Sequence, residues 1–170
     1  MSTRGYLGLK KNNKLKGHYN HFDSYPSGLG AYVIETLNKI DKDKRIKVLN
    51  DTYDYIQLVN ESDKPTQKQI EECRLANLDN LVVSSQSYDD WYCLIRDAQG
   101  ELDIYINKVI PYMINGNNFL QDALFCEWAY IINLDTNKLE VYENGKNDLK
   151  CKLNLLDLKI EDLEKIDNYY

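Results

Sequence analysis

The sequence predicts an α+β protein in which an antiparallel sheet, built from N-terminal and C-terminal hairpins, is covered by helices. Three observations lead to this prediction. Strand-like segments flank turn residues at both ends of the chain, helical patterns of apolar residues fill the middle, and 43% of the 170 residues are hydrophobic. A chain of this length can bury one core, so we expect residues 1–170 to form a single domain.

The hairpins are the clearest local signals. Residues 4–10 and 15–20 form two short runs that are separated by Asn12-Asn13, and asparagines tolerate the positive φ of a tight turn. Residues 127–134 and 138–142 are rich in β-branched and aromatic residues and predict a second hairpin. Alternation of apolar and polar residues over 149–155 predicts a further strand.

Helices are predicted between the hairpins. Apolar residues at helical spacing predict one helix over 29–40, with Ser27 as its N-cap, and another over 46–59. Thr66 and Gln69 match the capping-box pattern that starts a helix.

The remaining elements carry weaker signals. A brief strand is predicted over 81–87, and a short helix is predicted to follow Asp89 or Asp90 and to end at Gly100. A C-terminal helix is predicted around 156–166, whereas 102–110 fits both a strand and a helix.

The net charge and the hydropathy limit the classes of partner that we expect. The net charge of −6 gives no general attraction for nucleic acid or an anionic membrane, so neither is expected as a partner. No apolar run approaches the length of roughly 20 residues that spans a bilayer. The first residues do not resemble a signal peptide, so we expect a cytoplasmic protein.

The cysteines and histidines indicate neither a metal site nor a cofactor. The four cysteines lack paired spacing, and His18 and His21 are far from all of them in sequence. We therefore predict free thiols, no metal ion and no bound cofactor.

One polar segment, residues 19–30, concentrates the groups that could carry chemistry. It precedes the predicted start of a helix, where unpaired N–H groups and a partial positive charge favour an anion. The predicted catalytic pair is His21 and Asp23. The predicted ligand-binding residues are Asn20, Ser24, Tyr25, Ser27, Gly28 and Gly30.

The same segment also fits a purely structural turn. In that interpretation Asp23 and Ser24 bind local backbone donors, Pro26 fixes the loop, and Gly28 allows close packing. Composition alone leaves both interpretations open.

Several motifs resemble an uncharacterised family of small phage and bacterial proteins. They are the start Met1-Ser2-Thr3-Arg4-Gly5, residues 19–30, Asp90-Trp91-Tyr92 with Gln99-Gly100, residues 125–130 with 133–135, and Leu139-Glu140-Val141-Tyr142. A phage origin would imply antagonism of a bacterial defence system, in the cytoplasm of the host.

Three functions are therefore considered. The first is a phage-type protein that binds a small phosphorylated or nucleotide-like ligand and so antagonises a bacterial immune signal. The second is a small hydrolase or transferase that uses His21 and Asp23. The third is an acidic protein that inhibits a host defence protein.

Other candidate residues have simpler explanations. Ser2 could act as a terminal nucleophile, and Cys126 as a thiol nucleophile, but an ordinary second residue and a buried thiol are the commoner outcomes. Trp91, Trp128 and Tyr130 could stack on a base, although their spacing favours the core.

Overall fold

The central sheet joins strands from both ends of the chain. The computed structural model describes residues 3–79 and 87–167. The strands are β1 (Gly5–Lys11), β2 (Lys14–Asn20), β3 (Gln57–Val59), β4 (Tyr112–Ile114), β5 (Trp128–Asn133), β6 (Lys138–Glu143) and β7 (Asp148–Asn154). Five of them form a sheet in the order β2-β1-β5-β6-β7, and β3 and β4 form a separate parallel pair.

The helices lie mostly between the two halves of the sheet in sequence. They are α1 (Ala31–Asn38), α2 (Lys42–Tyr55), α3 (Gln67–Leu75), α4 (Trp91–Leu94), α5 (Leu102–Ile106) and α6 (Glu161–Asp167). A turn of π-helix (Pro26–Gly30) leads into α1, and 3-10 turns cover Arg96–Ala98 and Phe119–Gln121.

The predicted α+β class and both hairpins are confirmed. Asn12 and Asn13 form the first turn with φ of 50° and 59°. Asp135 in the second turn accepts hydrogen bonds from both of their backbone N–H groups, at 2.7 and 2.9 Å. The hairpin turns are thereby fastened to each other at one end of the sheet.

The expectation of a wholly antiparallel sheet needs one correction. The hairpins meet through β1 and β5, which run parallel, with Gly5 opposite Trp128 and Leu9 opposite Ile132. The long helical segment between these strands acts as the crossover that a parallel pair requires. The sheet is therefore mixed.

Both faces of the sheet are covered. Leu7, Leu9 and Tyr130 belong to the main core, to which α1, α2, α5 and α6 contribute buried apolar side chains. The opposite face carries Tyr6 and Ile131 in a smaller cluster that includes Leu120 and Cys126. Trp128, like Tyr130, is buried, as expected for core residues.

A third cluster of buried side chains, which we call the Trp91 cluster, lies beside the sheet. Trp91 and Leu94 of α4 pack with Cys73 of α3 and Tyr112 of β4. The segment after β4 reaches edge strand β2, where the Gly116 N–H donates to the Gly17 carbonyl at 2.8 Å. A recess is left between this cluster and the end of β2.

Three predicted element boundaries were wrong, and one segment had been left undecided. The helix predicted over 46–59 ends at Tyr55 and is followed by β3, and the helix predicted over 156–166 begins only at Glu161. Ser27 is not an N-cap, because the helical path already begins at Pro26 with no side-chain cap. The ambiguous segment 102–110 contains α5, and β4 follows it without having been predicted.

Other local predictions are confirmed. Thr66 and Gln69 form the expected capping box at the start of α3. Asp90 precedes α4 as predicted, but the α-helix ends at Leu94, and the 3-10 turn Arg96–Ala98 lies between it and Gly100, which has a φ of 79°. The strand predicted over 81–87 falls almost entirely on residues 80–86, outside the described residues, as does Ser2.

Candidate functional site

An aromatic-walled pocket occupies the recess between the sheet edge and the Trp91 cluster. It has a volume of about 280 Å³ and is bounded by the end of β2, by α4 with the turn that follows, and by the segment after β4. Its aromatic lining residues are Tyr19, Tyr92, Tyr105 and Phe119, and its polar lining includes His18, Glu61, Gln99 and Asn115. We call it the aromatic pocket.

His18 is the most unusual group in the aromatic pocket. Its side chain is buried, with only 3% of the residue exposed, and its Nε2 atom has no hydrogen-bond partner among the described residues. The edge of its ring meets Tyr105, with the ring centres 5.6 Å apart. Burial lowers the pKa of His18 to about 4, so the imidazole is neutral at neutral pH.

Two tyrosine hydroxyls of this lining already have partners. The Tyr105 hydroxyl donates to the Tyr112 carbonyl at 3.1 Å, and the Tyr19 hydroxyl forms a short hydrogen bond with His21 Nδ1. The Tyr19 ring also packs edge-on against Phe119 at 4.8 Å. These contacts hold the walls in place and leave His18 Nε2 without a partner.

Hydrogen-bond donors set the orientations of the Gln99 and Asn115 side-chain amides. Gln99 Oε1 accepts from an Arg96 guanidinium N–H, and Asn115 Oδ1 accepts from the Asn117 backbone N–H at 3.1 Å. Because guanidinium and backbone N–H groups only donate, the oxygens must face them. The amide N–H groups of Gln99 and Asn115 therefore remain as donors for another molecule.

A polar groove adjoins the aromatic pocket and shares Gln99 with it. This groove has a volume of about 400 Å³, and its lining includes Asn20, His21, Arg96, Asp97 and Glu101. The Arg96 guanidinium lies over the Tyr92 ring, 5.1 Å from its centre. Arg96 thus lines the groove and contacts one wall residue of the aromatic pocket.

Two arginines affect the electrostatics of the groove, because Arg96 lines it and Arg4 lies close enough to act on His21. Burial first, and then the charges of Arg96 and Arg4, lower the pKa of His21. Arg4 lies over the ring of Phe125, 4.6 Å from its centre. No carboxylate of residues 3–79 or 87–167 forms an ion pair with either guanidinium.

Two carboxyl groups, those of Asp97 and Glu101, line the same groove. Burial raises the pKa of Glu101. Its neighbour in the fold is Tyr32, whose hydroxyl donates to Asp103 at 3.0 Å. The groove therefore combines the Arg96 guanidinium with two carboxyl groups that can accept hydrogen bonds from hydroxyls.

Gly100 brings the two sides of the groove together. Its φ of 79° is unfavourable for other residues, and a Cβ atom there would overlap the Asn20 amide oxygen. Asn20 is itself fixed, because its Nδ2 group donates to the Ser24 hydroxyl at 2.8 Å and to the Phe22 carbonyl at 2.5 Å. Close contact at Gly100 places Gln99 and Arg96 against the end of β2.

The predicted catalytic pair is not joined by a hydrogen bond in the structure. His21 lines the groove, but its Nδ1 partner is Tyr19. Asp23 is exposed, has a φ of 50° and does not line the groove with His21. Its backbone carbonyl accepts from the Leu29 N–H at 2.8 Å, so its main chain shapes the turn.

Of the predicted ligand-binding residues, only Asn20 borders the groove. Ser24 is fully buried: its N–H donates to the Thr3 carbonyl at 3.1 Å, and its carbonyl accepts from the Tyr130 hydroxyl at 2.9 Å. Tyr25 is exposed, and its carbonyl accepts from the Gly28 N–H at 3.0 Å. These contacts close the loop.

The helix start that was predicted to hold an anion already carries a carboxylate of the chain. The Ser27 N–H donates to Asp167 Oδ2 at 2.9 Å. A Cβ atom on Gly30 would lie 2.9 Å from Leu163 Cδ1 and 2.9 Å from Tyr130 Cε1. Gly30 is therefore a packing position between the sheet and α6.

Sequence reasoning assigned no role to the residues that build the aromatic pocket. Tyr92 and Gln99 lie within motifs that carried the family resemblance, so a signal for them was present. His18 gave only the weak signal of a polar residue within a strand, opposite Leu7 of β1. Arg96 and Asn115 had none.

Comparison of the chain with protein-family models, with curated proteins and with solved structures gives no match in any of the three. The resemblance to small phage and bacterial proteins therefore stays a prediction. Within residues 3–79 and 87–167, no helix is long and apolar enough to cross a membrane. The same residues contain no group of three side chains placed to hold a metal ion.

Proposed function

We propose that the protein binds a small phosphorylated or nucleotide-like ligand, with a ring in the aromatic pocket and a phosphate in the adjoining groove. The observation that carries the proposal is the position of Arg96. It borders the groove, stacks on a wall of the aromatic pocket, and has no carboxylate partner among the described residues.

The aromatic pocket suits a flat ring. Ligand pockets are typically apolar with a few placed polar groups, which describes this lining. Tyrosine and phenylalanine faces stack on any base. Two adjoining spaces of about 280 and 400 Å³ match a molecule with one apolar and one polar part.

The groove suits a phosphate attached to a sugar. A guanidinium presents paired donors that fit phosphate oxygens, and its charge persists at any physiological pH. The Glu101 carboxyl can accept hydrogen bonds from sugar hydroxyls. Arg96 places a positive charge in the groove beside the carboxyl groups of Asp97 and Glu101, and salt screens the more distant surface charges that contribute to the net charge of −6.

Calorimetric titration tests this proposal. The wild-type protein is titrated with nucleoside 5′-monophosphates and with sugar phosphates, and the Arg96→Gln and Arg74→Gln variants follow. Arg74 is the matched control, since it forms an exposed ion pair with Asp89 at 2.6 Å and lines neither space.

We expect Arg96→Gln to weaken binding about tenfold or more and to reduce its salt dependence, because charged hydrogen bonds are the strong ones. Arg74→Gln should bind like wild type. Absence of binding across the panel by folded wild-type protein would refute the proposal, as would wild-type affinity in Arg96→Gln.

A second candidate function, a small hydrolase or transferase, is favoured by the contact between Tyr19 and His21. Because Tyr19 occupies His21 Nδ1, the other ring nitrogen is the one that can exchange a proton with a ligand in the groove. Phosphorus NMR of a bound nucleotide distinguishes the two functions. Recovery of the intact nucleotide supports a binding protein that retains its ligand, as removal of an immune signal requires. Turnover of the nucleotide that is lost in His21→Ala supports an enzyme.

A further inference from the structure

We infer that His18 determines which ring the aromatic pocket accepts, and that this ring is a planar nitrogen heterocycle whose polar edge hydrogen bonds to His18 Nε2. The inference rests on the proposed function and names the chemical class of the part of the ligand that enters the aromatic pocket.

The first support is the missing partner of a buried polar atom. Buried polar groups almost always have a hydrogen-bond partner, because leaving one without a partner costs stability. His18 is 3% exposed, lines the aromatic pocket, and has no partner for Nε2 within the described chain. A ligand that completes this bond would remove the cost and so bind more tightly.

The second support is the rigid placement of the imidazole. Its ring meets Tyr105 edge-on, and the Tyr105 hydroxyl is held by the Tyr112 carbonyl. The Gly116 N–H fixes the neighbouring backbone through the Gly17 carbonyl. A group whose position is fixed before binding loses little conformational entropy when the ligand binds.

The third support is the set of donors around the aromatic pocket. Gln99 and Asn115 present amide N–H groups, since their oxygens face Arg96 and the Asn117 backbone. A neutral imidazole can donate or accept at Nε2, depending on its tautomer. Together with the Glu61 carboxyl group of the same lining, this set fits a heterocycle with polar groups on its edge and does not fit a bare hydrocarbon ring.

The test compares ligands with and without the ring. Wild-type protein and the His18→Phe variant are titrated with AMP, GMP, CMP, UMP and ribose 5-phosphate. Phenylalanine keeps a flat ring in contact with Tyr105 but has no polar edge, so we expect the variant to fold. We expect wild type to bind at least one nucleotide about tenfold or more tightly than ribose 5-phosphate, since unpaired buried groups discriminate strongly.

His18→Phe should weaken binding of the preferred nucleotide about tenfold, because the hydrogen bond to Nε2 is lost while stacking on the aromatic walls remains. A His18→Phe variant with the wild-type affinity for that nucleotide would overturn the inference while leaving the proposed function intact. Failure of wild type to bind any of the five compounds would instead refute the proposed function itself.

A measurement on wild-type protein covers the case in which the variant does not fold. The chain contains two histidines, so the imidazole nitrogens of His18 and His21 can be resolved by nitrogen-15 NMR. We expect the preferred nucleotide to shift His18 Nε2 and ribose 5-phosphate to leave it unchanged. A bound nucleotide that does not shift His18 Nε2 would contradict the inference.

Discussion

Replacement of Gly30 by alanine should destabilise the protein, although alanine is the better helix former. Gly30 has helical backbone angles, with φ of −59° and ψ of −50°, so its conformation does not require glycine. In open space, alanine at a helical position would gain about 0.5–1 kcal/mol. The structure predicts the opposite sign because the space for a methyl group is already filled.

The magnitude follows from what the new Cβ atom would meet. Leu163 Cδ1 and Tyr130 Cε1 would each lie 2.9 Å away, and both side chains are fully buried. Tyr130 is further held by its hydrogen bond to the Ser24 carbonyl at 2.9 Å. Overpacking of this kind typically costs about 1–3 kcal/mol, and the helix gain offsets part of it, which leaves a net loss of about 1–2 kcal/mol.

Urea denaturation and thermal melting measure this loss. A net loss of about 1–2 kcal/mol lowers Tm by about 2–8 °C in a chain of this size. Ser27→Ala is the matched control, since Ser27 lies in the same turn, is exposed, and donates to Asp167 only through its backbone N–H. A Gly30→Ala variant that is as stable as wild type, or more stable, would refute the packing assignment.

Three further predictions concern the core, a helix cap and acid sensitivity. Trp128→Ala should lower the free energy of unfolding by about 3–5 kcal/mol, because Trp128 is buried in the main core; near-wild-type stability in urea would contradict this. Thr66→Ala should cost about 0.5–2 kcal/mol by removing the capping box of α3, and helical circular dichroism during urea denaturation would show it. His18 has a pKa of about 4 in the folded state against about 6.5 when unfolded, so the unfolded state binds more protons between these values and stability falls as pH drops from 6.5 to 4. His18→Phe should flatten this fall by up to about 3 kcal/mol, and equal acid sensitivity in both proteins would contradict the burial of His18.

The elements that could be predicted from sequence are those that short-range chemistry determines. The Asn12-Asn13 turn and the Thr66 capping box each depend on neighbours within a few residues, and both are present. The parallel pairing of β1 with β5 could not be predicted, because it joins positions such as Gly5 and Trp128 that are far apart in the sequence. The short strand β3 was hidden because its apolar residues continue the helical spacing of α2.

The candidate site was predictable only in part for the same reason. The end of β2 was singled out, since Asn20 and His21 are polar residues clustered in the sequence. The other side of the groove comes from Arg96 and Gln99, far along the chain, and only the fold brings them together. A buried nitrogen without a partner, such as His18 Nε2, is a property of packing and leaves no signature in a single sequence.

The polar segment 19–30 has two roles that divide along its length. Tyr19, Asn20 and His21 border the aromatic pocket or the groove, whereas the residues from Ser24 to Gly30 contact Tyr130, Leu163 and Asp167. Both interpretations of the segment, as a site and as a structural turn, therefore describe a part of it. Substitutions in the second part lower activity through the folded fraction, so loss of activity there does not identify a ligand contact. Loss of binding at unchanged Tm therefore identifies a ligand contact only at Tyr19, Asn20 and His21, and at Arg96 on the other side of the groove.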